Sequence, residues 1–188
     1  MKATYTFAVI LFLALFNLLI TGSAQGQDEH LNELKKNSVY YEFLGTGATL
    51  FSLHYEKNIK QFEKSSLNLD LGVGYDPPLH IDMNPSYAFP LSLNWTSGIK
   101  NKHFELGIGL TYNSGVSQQI ATGGKTKSMD ALWTSFRIGY KYQKPEGGLY
   151  FRAGLTPLLR VKKFTSIDHD DFFDKFLPFF GIGVGLTF

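Results

Sequence analysis

The strongest constraint on this chain is a two-residue hydrophobic period that recurs from about residue 38 to residue 188. Phe51, Leu53 and Tyr55 alternate with Ser52, His54 and Glu56. Leu67, Leu69, Leu71 and Val73 alternate with Ser66, Asn68, Asp70, Gly72 and Gly74. The same pattern returns at 91–96, 104–111, 132–141, 151–156 and 180–188. Successive side chains of a strand point to opposite faces, so strict alternation over such spans is strand with one apolar face. Seven strands are read this way, and each needs its apolar face covered.

Connection lengths supply the eighth strand. The links at 58–65, 98–102 and 143–148 are short, whereas 76–86, 113–131 and 160–176 are long. Short turns alternating with long loops, over an even strand number, is the asymmetry of a transmembrane barrel. The pattern places Gly45-Thr46-Gly47 as a turn on the long-loop side and 38–44 as the first strand. The expected fold is all-β, an eight-stranded antiparallel up-and-down transmembrane β-barrel. Pro90, Pro157 and Pro178 cannot donate to a ladder, and in this arrangement they fall near the long-loop strand ends. Aromatics collect at the strand ends too: Tyr55, Trp95, Phe104, Tyr140, Tyr142 and Phe188 on one side, Tyr75, Tyr87, Phe89 and Tyr112 on the other.

Composition decides which face meets what. The second face carries Gly72, Gly74, Gly107, Gly109, Gly139, Gly154, Gly181, Gly183 and Gly185 beside its charges. Tiny residues suit the cramped inside of eight strands, whose interior only just holds side chains. The apolar face would overfill that interior, so it is read as facing lipid. The charged fraction, 18%, is below the roughly 25% of soluble domains. A net charge of +2 gives no argument for nucleic acid. Parity then places Glu42, Glu56, Asp70 and Glu105 in the lumen with Arg137, Lys141 and Arg152, and His54 nearby. Unpaired buried charge costs several kcal/mol, so these eight are expected to form a polar network that fixes register and plugs the barrel.

The N-terminus reads as an address. Lys2, an apolar run over 7–20, and small residues through Ala24 make a secretory signal peptide, 1–24. Residues 25–37 follow as a polar periplasmic tail, and 38–188 as the barrel. The chain has no cysteine, which excludes lipoprotein acylation and disulfides.

The last strand carries the most specific signal: Phe180, Ile182, Val184, Leu186 and Phe188 on one face, ending in an aromatic residue. With the architecture around it, the chain resembles the small OmpA/OmpX-like outer-membrane β-barrel proteins of Gram-negative bacteria. The resemblance covers roughly residues 38–188 and implies that these five residues are the signal read by the barrel-assembly machinery. It further implies a bacterial outer-membrane location, contact with outer-membrane lipid and lipopolysaccharide, and no single activity.

Motifs of chemistry are weak. Gly181-Ile182-Gly183-Val184-Gly185 keeps period two with no helix after it, so it is not a nucleotide loop. Gly123-Gly124-Lys125-Thr126 lacks the upstream glycine of a phosphate loop. Asp168, His169, Asp170, Asp171 and Asp174 are read as a solvated acidic loop without an EF-hand pattern, although such a density of carboxylates suits Ca²⁺. Within that loop, Ser166 would cap a short helix bringing Phe172, Phe173 and Phe176 over the rim. Ser52, His54 and Glu56 share a strand face, but a spacing of about 7 Å along the strand argues against a hydrolytic relay. No catalytic, cofactor or metal residue is assigned. The expected role is structural or interactive, with loops 76–86, 113–131 and 160–176 displayed to a protein partner. The alternatives are an accessory subunit of an outer-membrane complex, a small ligand or ion conduit, and a lipid A-modifying enzyme.

Overall fold

A computed structural model describes residues 37–77, 85–119, 126–164 and 175–188. Eight strands follow in chain order: β1 Asn37–Leu44, β2 Phe51–Gln61, β3 Ser65–Asp76, β4 Ser86–Ile99, β5 Lys102–Gln119, β6 Thr126–Gln143, β7 Gly148–Lys163 and β8 Phe176–Thr187. Each pairs antiparallel with its sequence neighbour, and β8 closes on β1, so the sheet is a barrel without an edge. The signal peptide expected at 1–24, and all of the tail but Asn37, lie outside the described residues.

The period of two becomes two surfaces. Val39, Tyr41, Leu53, Val73, Leu93, Trp95, Leu106, Ile108, Phe136, Ile138, Leu155, Ile182 and Val184 all stand exposed on the outer wall. Inside, the buried residues are mostly polar or charged, including Glu42, His54, Asp70, Asn94, Glu105, Arg137, Lys141 and Arg152. This inverts the ordinary soluble arrangement: an apolar outer wall around a polar centre.

Glycines make that centre possible. Across the ladders Gly72 lies opposite His54, Gly107 opposite Arg137, Gly139 opposite Glu105, and Gly183 opposite Arg152. His54 leans over Gly72 and Arg152 over Gly183, each filling the space a Cβ there would need. At the facing pair Gly139 and Gly154 the strands approach so closely that a Cβ on either would sit 2.6 Å from a carbonyl oxygen of the other strand.

The wall has uneven height. At about 3.3 Å per residue, the 18 residues of β5 and of β6 each extend roughly 60 Å, and the 8 of β1 roughly 26 Å. The connection expected at 113–131 is accordingly shorter, because pairing continues to Gln119 opposite Thr126. A register shift between Asn113 and Val116, beside Gly115 with φ 85°, breaks the alternation that marked strand lower down. The connection expected at 160–176 also shrinks, since β7 runs to Lys163 and β8 begins at Phe176. Phe176 pairs with Leu159 in the ladder and does not lie in a helix. The remainder of that acidic segment lies outside the described residues. Pro157 and Pro178 face each other on one rung, so two missing donors share one break in the ladder.

The β1–β2 connection departs furthest from expectation. Gly45-Thr46-Gly47 does not form an exposed turn. It makes a single 3-10 turn folded into the lumen, with all three residues buried. The inward fold needs unusual backbone: Leu44 at φ 58°, ψ −145°, Gly45 at φ 84° and Ala48 at φ 51°. A residue at the first position has dihedrals that glycine adopts almost alone.

Candidate functional site

The eight lumenal residues come from six strands, and their parity does the placing. Tyr40 and Glu42 on β1, Ser52, His54 and Glu56 on β2, and Asp70 on β3 all point inward. They meet Glu105 of β5, Arg137 and Lys141 of β6, and Tyr150 and Arg152 of β7.

Arg152 is the hub. Its Nη1 donates to Asp70 Oδ2 at 2.9 Å and its Nη2 to Glu105 Oε1 at 3.0 Å. It also donates to the Tyr40 hydroxyl, and its guanidinium lies 5.0 Å from the Tyr40 ring centre. One side chain thereby ties β7 to β1, β3 and β5 across the lumen. Lys141 pairs with Glu56, to which the Tyr150 hydroxyl donates at 3.5 Å. Arg137 pairs with Glu42. Tyr40 donates to Asp70 and stacks on both His54 and Tyr150, with ring centroids 4.8 and 4.9 Å apart. All eight expected residues therefore lie in one connected cluster, enclosed by the wall.

The inward turn completes it. Thr46 donates to Glu42 Oε2 twice, from its backbone N–H at 3.0 Å and its hydroxyl at 2.9 Å. Thr111 donates its hydroxyl to the Thr46 carbonyl at 2.6 Å, and Asn113 its amide to the Gly47 carbonyl at 3.4 Å. Glu42 thus accepts from Arg137 on one oxygen and from the turn on the other. Beyond the turn Ala131, Trp133 and Leu158 form a small buried apolar cluster with Ala48, Leu177 and Phe179 packed against it. Trp133 and Leu158 carry the inward parity of Arg137 and Arg152, so the lumen turns from charged to apolar along its length.

Sequence reasoning missed Tyr40, Tyr150 and Thr46. Parity was the available signal for the tyrosines, which stand two residues from Glu42 and Arg152; aromatic residues were assigned to the outer wall by type. Thr46 had no such signal, because a Gly-Thr-Gly string reads as turn and says nothing of its direction.

One expectation fails in part: Ser52 and His54 do meet, although Glu56 pairs with Lys141 and not with His54. The spacing argument against a relay measured the strand and not the side chains. His54 Nε2 lies 2.8 Å from Ser52 Oγ, and His54 Nδ1 lies 2.8 Å from Asp70 Oδ1. Serine, imidazole and carboxylate are in hydrogen-bonding line, with Asp70 of the neighbouring strand in the place considered for Glu56. Ser52 is nonetheless 3% exposed. A Cβ at Gly47 would lie 3.2 Å from its Oγ, so the inward turn stands over the hydroxyl. The hydrogen-bonding line of a relay is present at a hydroxyl buried under the turn.

No protein-family model matches the chain, and no curated protein matches it. Among solved structures, the N-terminal β-barrel domain of Pseudomonas aeruginosa OprF is similar, with a TM-score of 0.51 over 81% of this chain and 96% of that one. The chain shares the eight-stranded barrel fold of OprF. At 12% identity the likeness is one of fold. Phe180, Ile182, Val184, Leu186 and Phe188 all project from the outer wall, on or just past the strand that closes the barrel. Among the described residues no group of three or more His, Cys, Asp or Glu is arranged to hold a metal ion.

Proposed function

We propose that this chain is an outer-membrane β-barrel with a plugged lumen, acting as a scaffold that presents its long-loop end to partners. The observation that carries the reading is the inverted surface: a closed wall, apolar on every strand, around a buried network of charge. In water such a wall would aggregate; in a bilayer it needs no cover, because lipid accepts apolar side chains and the closed ladder leaves no open sheet edge. The OprF likeness supports the same setting. Lipopolysaccharide and outer-membrane lipid are then the surroundings of the wall, and β8 is the segment offered to the barrel-assembly machinery.

The plug argues for display over transport. Arg152, Lys141 and Arg137 cross the lumen to partners on the opposite strands, and the Gly45–Gly47 turn fills the space beside them. The interactive part is then the tall β5–β6 hairpin, with the segments expected at 76–86 and 160–176 beside it. The role as a subunit of a larger complex is the same reading with the partner in the membrane.

The test is reconstitution. The refolded chain should resist urea and run as a compact, heat-modifiable band in SDS, and it should give no conductance steps in a planar bilayer. Ohmic steps that disappear with Arg152→Ala would replace the scaffold by a conduit.

A further inference from the structure

At the end of the barrel that carries the short turns, a cavity of about 210 Å³ opens to solvent. Its lining includes three lysines, one from each short turn: Lys64 between β2 and β3, Lys100 between β4 and β5, and Lys144 between β6 and β7. His103, Ser66 and Thr96 contribute polar wall, and Glu63 is the one carboxylate on the lining. We propose that this cup is a binding site for a phosphate-bearing anion, held by Lys64, Lys100 and Lys144.

Three observations carry the proposal. The first is that three lysines from three turns share one lining without neutralisation. The chain's internal ion pairs gather in the lumen, while among the described residues these three ammonium groups have no carboxylate partner within 4 Å. Three like charges around one cavity repel each other, and an anion between them removes that cost.

The second is that the turns are fixed in place. The Lys64 carbonyl accepts from Gly98 N–H at 3.3 Å and from the Ser97 hydroxyl at 3.2 Å. Gln143 N–H donates to the Asn101 carbonyl at 3.0 Å. The Lys144 carbonyl accepts from Gly147 N–H at 3.1 Å. The three turns are linked to one another, so the ammonium groups start from anchored backbone and lose less freedom on binding.

The third is Lys100 itself. It sits at φ 58°, a left-handed conformation in which glycine or asparagine carries less strain. A lysine is kept where the turn alone favours a smaller residue.

The donor set selects the class of anion. The cations on the lining are all lysines, and no arginine lines the cup. Lysines act as point charges that converge on a tetrahedral oxyanion from several directions. A water molecule's share of liquid volume is about 30 Å³, so the cup accepts an ion as large as pyrophosphate. The phosphate can come from a soluble ion or from the headgroup of a surrounding phospholipid, since the cup opens at the barrel rim.

The experiment is calorimetric titration of the full chain, refolded in zwitterionic micelles, with pyrophosphate and separately with citrate as a carboxylate of similar charge. One saturable site for pyrophosphate is expected, weakened at least tenfold in K64Q/K100Q/K144Q and unchanged in K162Q/K163Q/K175Q, which removes as much charge at the opposite end. The K100G variant should bind at least threefold more weakly while unfolding at a higher temperature, which separates the ligand role from any structural one. Equal weakening in both triple variants, citrate binding as tightly as pyrophosphate, or no heat at all would each overturn the proposal. In nanodiscs of phosphatidylcholine with and without phosphatidylglycerol, competition by the anionic lipid identifies the headgroup as the source. Undiminished pyrophosphate binding identifies the soluble ion.

Discussion

Arg152 shows how much a single residue can hold in a barrel this narrow. It is fully buried and meets Asp70, Glu105 and Tyr40. Arg152→Ala leaves two carboxylates without their cation, and breaking a buried pair from one side costs about 3–5 kcal/mol. Urea unfolding in micelles should register that loss, and the triple change R152M/D70N/E105Q should recover most of it by removing the unpaired charges as well. Ser52 makes the complementary case. Its hydroxyl is aligned with His54 and Asp70 but lies under the Gly45–Gly47 turn. A fluorophosphonate probe should therefore leave Ser52 unlabelled in the folded protein, and labelling abolished by His54→Gln would restore the enzyme to consideration. The serine–imidazole contact escaped sequence reasoning because side chains two apart on a strand face lean together, while the backbone spacing keeps them apart.

The β1–β2 connection is the element whose behaviour follows least from local sequence. Leu44 adopts glycine-only dihedrals so that Thr46 can reach Glu42. Strain of this kind costs about 1–3 kcal/mol and persists only where surrounding contacts enforce it. Leu44→Gly should raise stability by about 1 kcal/mol on that account, read as a shift in the urea midpoint at unchanged slope. Thr46→Val removes the hydroxyl donor to Glu42 while keeping the backbone donor, and should lower stability by about 1 kcal/mol in the same measurement. The β6–β7 pair tests the opposite limit. Gly154→Ala forces a methyl against the Ile138 carbonyl, so its urea midpoint should fall. Strand existence was legible at nearly every element, because alternation survives any register. Strand ends were not: the β5–β6 hairpin continues past the bulge at Asn113/Val116, where the pattern stops but the backbone pairing does not.

At the scale of the whole barrel the test is the outer wall. Ile108 and Phe136 face each other across β5 and β6, with Ile108 midway between the girdle residues Phe104 and Tyr112, while Ile99 lies at the end of β4. Lysine at the bilayer midplane costs about 2–4 kcal/mol and near the interface about 0–1. Ile108→Lys should therefore impair folding into phosphatidylcholine vesicles far more than Ile99→Lys; equal effects would mean that the belt does not sit in lipid. The number of strands, their antiparallel order and the division of most residues between wall and lumen were determined by the sequence alone, because seven strands state a period of two for themselves and the alternation of short and long connections supplies the eighth. Tertiary structure decided what the lumen does with its residues. Only closure of the wall brings Arg152 of β7 to Asp70 of β3 and Glu105 of β5, turns Gly45–Gly47 inward onto Glu42, and gathers three lysines from three turns around one cup. These contacts join residues far apart in the chain, and their geometry depends on strand tilt, register and the space left by facing glycines, none of which any one segment encodes.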